Sequence, residues 1–172
     1  EITQLYPSEI AKVSPETGSP ALKFPNSVLP SEVTGCIYIA NTMDNTVLAV
    51  GCQGNCFDEA DPSLAVVSEV TVIASLELPR ALYMSRSLNT TVYHRLFVAG
   101  GAVGRGYIAY IDLARGNEVF YIQQDLTYPV SVFDDMFSPE TQISGVGGLF
   151  VADGQDNVIL RDQCVTLVDN YP

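Results

Sequence analysis

A chain of 172 residues with 8 Lys and Arg against 20 Asp and Glu carries a formal net charge of −12. That field repels phosphates and anionic headgroups, which excludes nucleic acid and charged membrane surfaces as partners. Hydrophobic residues at 47% against 16% charged exclude disorder, and no apolar run reaches the roughly 18–20 residues of a membrane-spanning helix.

Helical periodicity is weak, and short β-rich runs alternate with Gly, Asn, Asp and Pro, which predicts an all-β architecture. Residues 8–24 read as two strands joined by a turn at Pro15-Glu16-Thr17-Gly18. From there the chain repeats itself. An element of hydrophobic-Pro-x-small-hydrophobic recurs as Phe24-Pro25-Asn26-Ser27-Val28, Leu78-Pro79-Arg80-Ala81-Leu82 and Tyr128-Pro129-Val130-Ser131-Val132. Each is followed by a second element: Ile37-Tyr38-Ile39-Ala40-Asn41, Leu96-Phe97-Val98-Ala99-Gly100 and Leu149-Phe150-Val151-Ala152-Asp153. A repeat of about 50 residues with four strands is the size of one β-propeller blade. The Pro element is strand A and the Ala-centred element strand B. Strand C is expected over 46–51, 107–112 and 157–161, and strand D over 65–75, 118–124 and 164–169. Strand B is apolar on both faces, as expected where blades stack and cover both surfaces.

The blades then divide as a half blade over 1–24 and full blades over 25–78, 79–128 and 129–172. The chain starts at Glu1 without Met or a signal-peptide core and ends on Tyr171-Pro172, the pair that opens a repeat. These about three and a half blades of the four to eight that close a ring read as a processed segment. The remaining blades are expected from further sequence or a second chain.

Pro25-Asn26-Ser27, the strand ending Val151-Ala152-Asp153 and Pro15-Glu16-Thr17-Gly18 together resemble six-bladed propellers of the gluconolactonase and regucalcin type. NHL-repeat propellers are close in blade pattern. The resemblance implies one divalent metal, calcium or zinc, held in the central channel by oxygen ligands. It implies metal-assisted hydrolysis of a lactone or related ester. An Asn or Asp after the Pro of strand A is the ligand position in that family. Asn26 matches it, whereas Arg80 and Val130 do not. The plainer reading of Asn26 is a strand-start cap.

Other candidate positions are channel-facing or merely structural. Asp134-Asp135 follows the third strand A within reach of the channel mouth, with a turn or surface role as the plainer reading, and Asp153 ends strand B, where a strand-end hydrogen bond competes with ligation. Residues 100–106 (Gly-Gly-Ala-Val-Gly-Arg-Gly) lack the Lys and following helix of a phosphate loop and predict a hairpin loop, with Arg105 an exposed specificity residue. His94, the single histidine, precedes strand B without a nucleophile motif, so it reads as a surface or blade-packing residue. The acidic stretch 56–61 lacks EF-hand spacing and reads as a solvated loop.

Cys36, Cys52, Cys56 and Cys164 contain no Cys-x-x-Cys pair, and an even count suggests disulfides and an extracellular destination. Pairing strands B and C around Asp44-Asn45 sets Cys36 near Gly51, which favours Cys36–Cys52 with Cys56–Cys164; Cys52–Cys56 is the local alternative. Asn89-Thr90-Thr91 is an N-glycosylation acceptor. Two functions follow as expectations: a secreted binding or structural module for a small molecule, glycan or protein, and a metal-dependent hydrolase. A third is a unit of an extracellular assembly joined through exposed blade edges.

Overall fold

The computed structural model describes residues 22–31, 34–51, 70–84, 95–134, 146–155 and 158–166, apart from the side chains of 134, 146–148 and 158–166. Three antiparallel sheets make up the fold. The first runs β1 (Pro25–Pro30), β2 (Ile37–Asn41), β3 (Thr46–Val50) and β4 (Val70–Ser75), in that spatial order. The second repeats it with β5 (Pro79–Met84), β6 (Arg95–Ala102), β7 (Arg105–Asp112) and β8 (Glu118–Leu126). The third has β9 (Pro129–Asp134), β10 (Val146–Asp153) and β11 (Val158–Thr166). The all-β expectation holds, and each sheet is a meander whose first strand starts at the predicted Pro. No helix among the described residues is long and apolar enough to cross a membrane.

Two strand boundaries differ from the sequence reading. Residues 158–166 form one strand, where a break between strands C and D was expected. β10 extends back to Val146, so β11 has a partner along its whole length, from Asp153↔Val158 to Val146↔Thr166. In the second sheet the ladder runs into the Gly-rich stretch as far as Ala102↔Arg105. Only Val103-Gly104 is left as the turn, with Gly104 at φ +76. Glycines there do not loosen the backbone, because both flanks remain hydrogen-bonded. The β2–β3 turn does use its predicted residue: Asn45 is left-handed at φ 56 after the short 3-10 turn Thr42–Asp44.

The middle strands explain their own composition. Side chains alternate faces along a strand, and the middle strands of the second sheet have a neighbouring sheet on each face. Leu96 and Val98 of β6 pack with Tyr38, Ala40, Val47 and Ala49 of the first sheet. Phe97 and Ala99, pointing the other way, pack with Val132, Leu149 and Val151 of the third. The second sheet is thus sandwiched. Ala40, Ala49 and Ala109 at the first interface are small enough for the sheets to approach closely. The outer strands β4 and β8 are exposed at much of their length and read as polar or mixed sequence.

β1, β5 and β9 lie side by side, β1 against β5 and β5 against β9. Two hydrogen bonds tie the first two sheets at this seam: Leu82 N donates to Ser27 Oγ at 3.2 Å, and Thr42 Oγ1 donates to Pro79 O at 2.6 Å. All three strands carry the same irregularity. The register skips one residue after the Pro, between Pro25 and Ser27, between Pro79 and Ala81, and opposite the step from Asp153↔Pro129 to Ala152↔Ser131. The skipped residues are Asn26, Arg80 and Val130. A bulge of this kind re-aims the side chain it carries.

Candidate functional site

The three bulges lie at the end of the sheets where strand A starts, strand B stops and the B–C turn sits. At this end a backbone N–H after strand B donates to a carbonyl of the incoming linker in each sheet. Met43 N donates to Lys23 O at 3.0 Å, Gly101 N to Glu77 O at 3.0 Å and Gly154 N to Tyr128 O at 2.9 Å. The last residue of strand B completes the joint. Asn41 Oδ1 accepts from Lys23 N at 2.6 Å. Asp153, only 2% exposed, accepts from Thr127 N and Tyr128 N at 2.9 Å each and from Gln155 N at 3.3 Å. Its carboxylate is committed to backbone, which leaves it a structural cap.

The second sheet departs from this pattern. Gly100 stands where Asn41 and Asp153 stand, and its strand partner is Tyr107 in place of Thr46 or Val158. A Cβ built at Gly100 would lie 2.6 Å from the Tyr107 hydroxyl oxygen, 2.7 Å from Leu78 O and 2.9 Å from Pro79 Cα. The tyrosine therefore fills the space that an Asn or Asp side chain occupies in the other sheets. Its ring is edge-on to Tyr121, with centroids 5.5 Å apart. Tyr107 is 5% exposed, and its hydroxyl has no hydrogen-bond partner. Burial raises its pKa strongly; Tyr121 adds to the shift, Arg80 opposes it and Glu77 adds to it.

Arg80, carried on the bulge, lays its guanidinium over the Tyr128 ring with Cζ 4.0 Å from the centroid. Its Nη1 is buried without a partner. Glu77, three residues earlier, is engaged by Arg105 at 3.4 Å in an exposed pair. Backbone strain marks the same linkers: Phe24 and Leu78, each immediately before a Pro, have φ of 56 and 42, a left-handed conformation unusual for such side chains.

The residues singled out from sequence separate into two groups. Asn26, Arg105 and Asp153 share this end of the sheets. Asn26 is exposed on its bulge. Arg105, expected to be exposed, has a side chain 72% exposed and ends the hairpin turn. Asp134 is at the opposite end of β9 from the bulge, paired in register with Leu149, on the order of 17 Å of strand away from Pro129. Asp135, His94, Asn89 and the stretch 56–61 lie outside the described residues. Cys36 is disulfide-bonded, and Cys52, Cys56 and Cys164 lie outside the described side chains. The register Ile37↔Val50 continues to put Cys36 opposite Gly51.

The donor set does not suit the divalent cation that the family resemblance implies. Of the three equivalent bulges, only Asn26 offers an oxygen, Val130 offers none, and Arg80 brings a positive charge that a hard cation avoids. No group of three or more His, Cys, Asp or Glu placed to hold a metal occurs among the described residues. Sequence reasoning used Arg80 only as a mismatch and passed over Tyr107 and Tyr128. The available signal was the Gly at 100 facing a Tyr at 107, where the other repeats pair a polar residue with a smaller one.

No family model, no curated protein and no solved structure matches this chain.

Proposed function

We propose that the chain is part of a secreted β-propeller of the gluconolactonase and regucalcin type. In this reading it serves as an extracellular binding module, with the strand-A end as its ligand face. Further blades come from additional sequence or a second chain. Support for the architecture comes from three successive meander sheets whose first strands neighbour each other and share one bulge. The disulfide at Cys36 supports an oxidising compartment, and pairing with Cys52 is the arrangement the hairpin register favours.

One observation carries the functional reading. At the bulge where a metalloenzyme of this type needs an oxygen ligand, Arg80 stands stacked on Tyr128 with a buried, unpartnered nitrogen. A guanidinium on an aromatic face recognises anions and ring systems and cannot activate water as a metal does. Backbone amide spectra recorded against a panel of glycans and small metabolites test this, with shifts expected at residues 24–27, 78–81 and 127–130. Saturable hydrolysis of lactones that requires added calcium or zinc and is lost in Asn26→Ala would overturn it in favour of the metal-dependent hydrolase, whose other ligands would then come from outside the described residues.

A further inference from the structure

Resting on the binding-module reading, we propose that the Arg80 guanidinium and the Tyr107 hydroxyl jointly bind the carboxylate of a small organic acid. Both present a buried donor without an acceptor, Nη1 on Arg80 and the hydroxyl on Tyr107. Neither is an ordinary feature of a resting protein. An unsatisfied buried polar group is costly, more so when charged, and most such groups in folded proteins have a partner.

The two groups belong together. Tyr107 occupies the space vacated at Gly100. Arg80 sits beside it in the same sheet, on the bulge between Pro79, the strand partner of Gly100, and Ala81, and its charge acts on the Tyr107 hydroxyl. Arg80 has no carboxylate partner among the described residues, since Glu77 is engaged by Arg105. An anion is therefore the complement. A monoanionic carboxylate fits better than a phosphate: two donors match its two oxygens, Glu77 acts on the same hydroxyl, and the whole chain carries −12. Entry requires movement, because both atoms are sealed from solvent. Arg80 is the side chain that moves. It is only partly buried and is held by a cation–π contact with the Tyr128 ring. The third sheet has Val130 at the bulge, and the first has Asn26 with Thr46 in the place of Tyr107, so neither offers the same pair.

Arginine side-chain and backbone amide spectra of the full chain, titrated with sodium acetate, sodium phosphate and sodium chloride at matched ionic strength, test the assignment. Acetate should shift the Arg80 Nε–Hε and Tyr107 amide signals saturably. Tyr107→Phe should weaken acetate binding about tenfold, Arg80→Lys should weaken it while retaining saturation, and Arg80→Gln should abolish it. The variants' own amide spectra report whether each is folded. Shifts that are linear and equal for acetate and chloride would overturn the proposal, as would a Tyr107→Phe variant that titrates like the wild type. Tighter phosphate than acetate binding would overturn the choice of carboxylate. A glycan that shifts residues 78–81 equally in wild type and Arg80→Gln would refute the carboxylate site alone. No response at this end to any ligand would refute the binding-module reading with it.

Discussion

Gly100 and Tyr107 face each other across β6 and β7 as a complementary pair, the absent side chain of one making room for the phenol of the other. The same two ladder positions hold Asn41 and Thr46 in the first sheet, where Asn41 Nδ2 donates to Thr46 Oγ1 at 3.4 Å.

This pairing predicts strong coupling. Gly100→Ala should destabilise the protein by about 1–3 kcal/mol, since the new methyl meets Leu78 O and Pro79 Cα as well as the hydroxyl. Gly100→Asn should cost at least as much. Combined with Tyr107→Thr, which removes the hydroxyl contact and leaves those with Leu78 O and Pro79 Cα, part of that cost should be recovered. Urea-unfolding midpoints of the two singles and the double give the coupling, and simple additivity would contradict the account.

Asp153 should behave as a structural cap. Asp153→Ala removes the acceptor for Thr127 N, Tyr128 N and Gln155 N and should cost about 2–4 kcal/mol. Asp153→Asn keeps one acceptor oxygen and should cost less. Chemical denaturation ranks the two, and a neutral Asp153→Ala would show that the joint is held by the packing of its neighbours.

Alkaline stability should report on Tyr107. Burial raises its pKa above the ordinary 10.0, so the unfolded chain ionises first. Stability is then fully present below about pH 10 and falls as pH rises from there toward the folded-state value. Tyr107→Phe should flatten that fall. Tyr38 contributes a smaller decline of the same sign, because burial raises it and its hydrogen bond to Thr34 opposes the rise. Unfolding free energies measured from pH 8 to 11 test this; equal slopes in wild type and Tyr107→Phe would contradict it.

Core truncation should depend on which sheets a side chain joins. Leu96, fully buried between the first and second sheets, should lose about 2–5 kcal/mol as Leu96→Ala. Val72, on the exposed side of the outer strand β4, should lose under about 1 kcal/mol as Val72→Ala. Thermal or urea melts distinguish the two.

The repeat was legible because it rests on local chemistry. A Pro opens each first strand and an apolar run marks each middle strand, so the phase of the sheets follows from residues such as Pro79 and Val98. The bulges were not legible. They arise from how the linker docks on the neighbouring turn, through bonds such as Gly101 N to Glu77 O, which no strand pattern encodes. For the same reason Arg80 read as a mere departure from a metal-ligand pattern, although its position makes it the centre of the site. Strand polarity puts Asp134 at the end of β9 away from the bulge, and a pair of adjacent carboxylates carries no signal of which end that is. The continuous β11 escaped because its extent depends on the length of its partner, β10.

Electron density for the intact protein with whatever completes its sheets is the most direct measurement of the central claim. The account predicts a ring of sheets in which β1, β5 and β9 line one channel, with Asn26, Arg80 and Val130 together at one mouth. A stack of sheets open on both sides, or a ring whose channel is lined by β4 and β8, would contradict it.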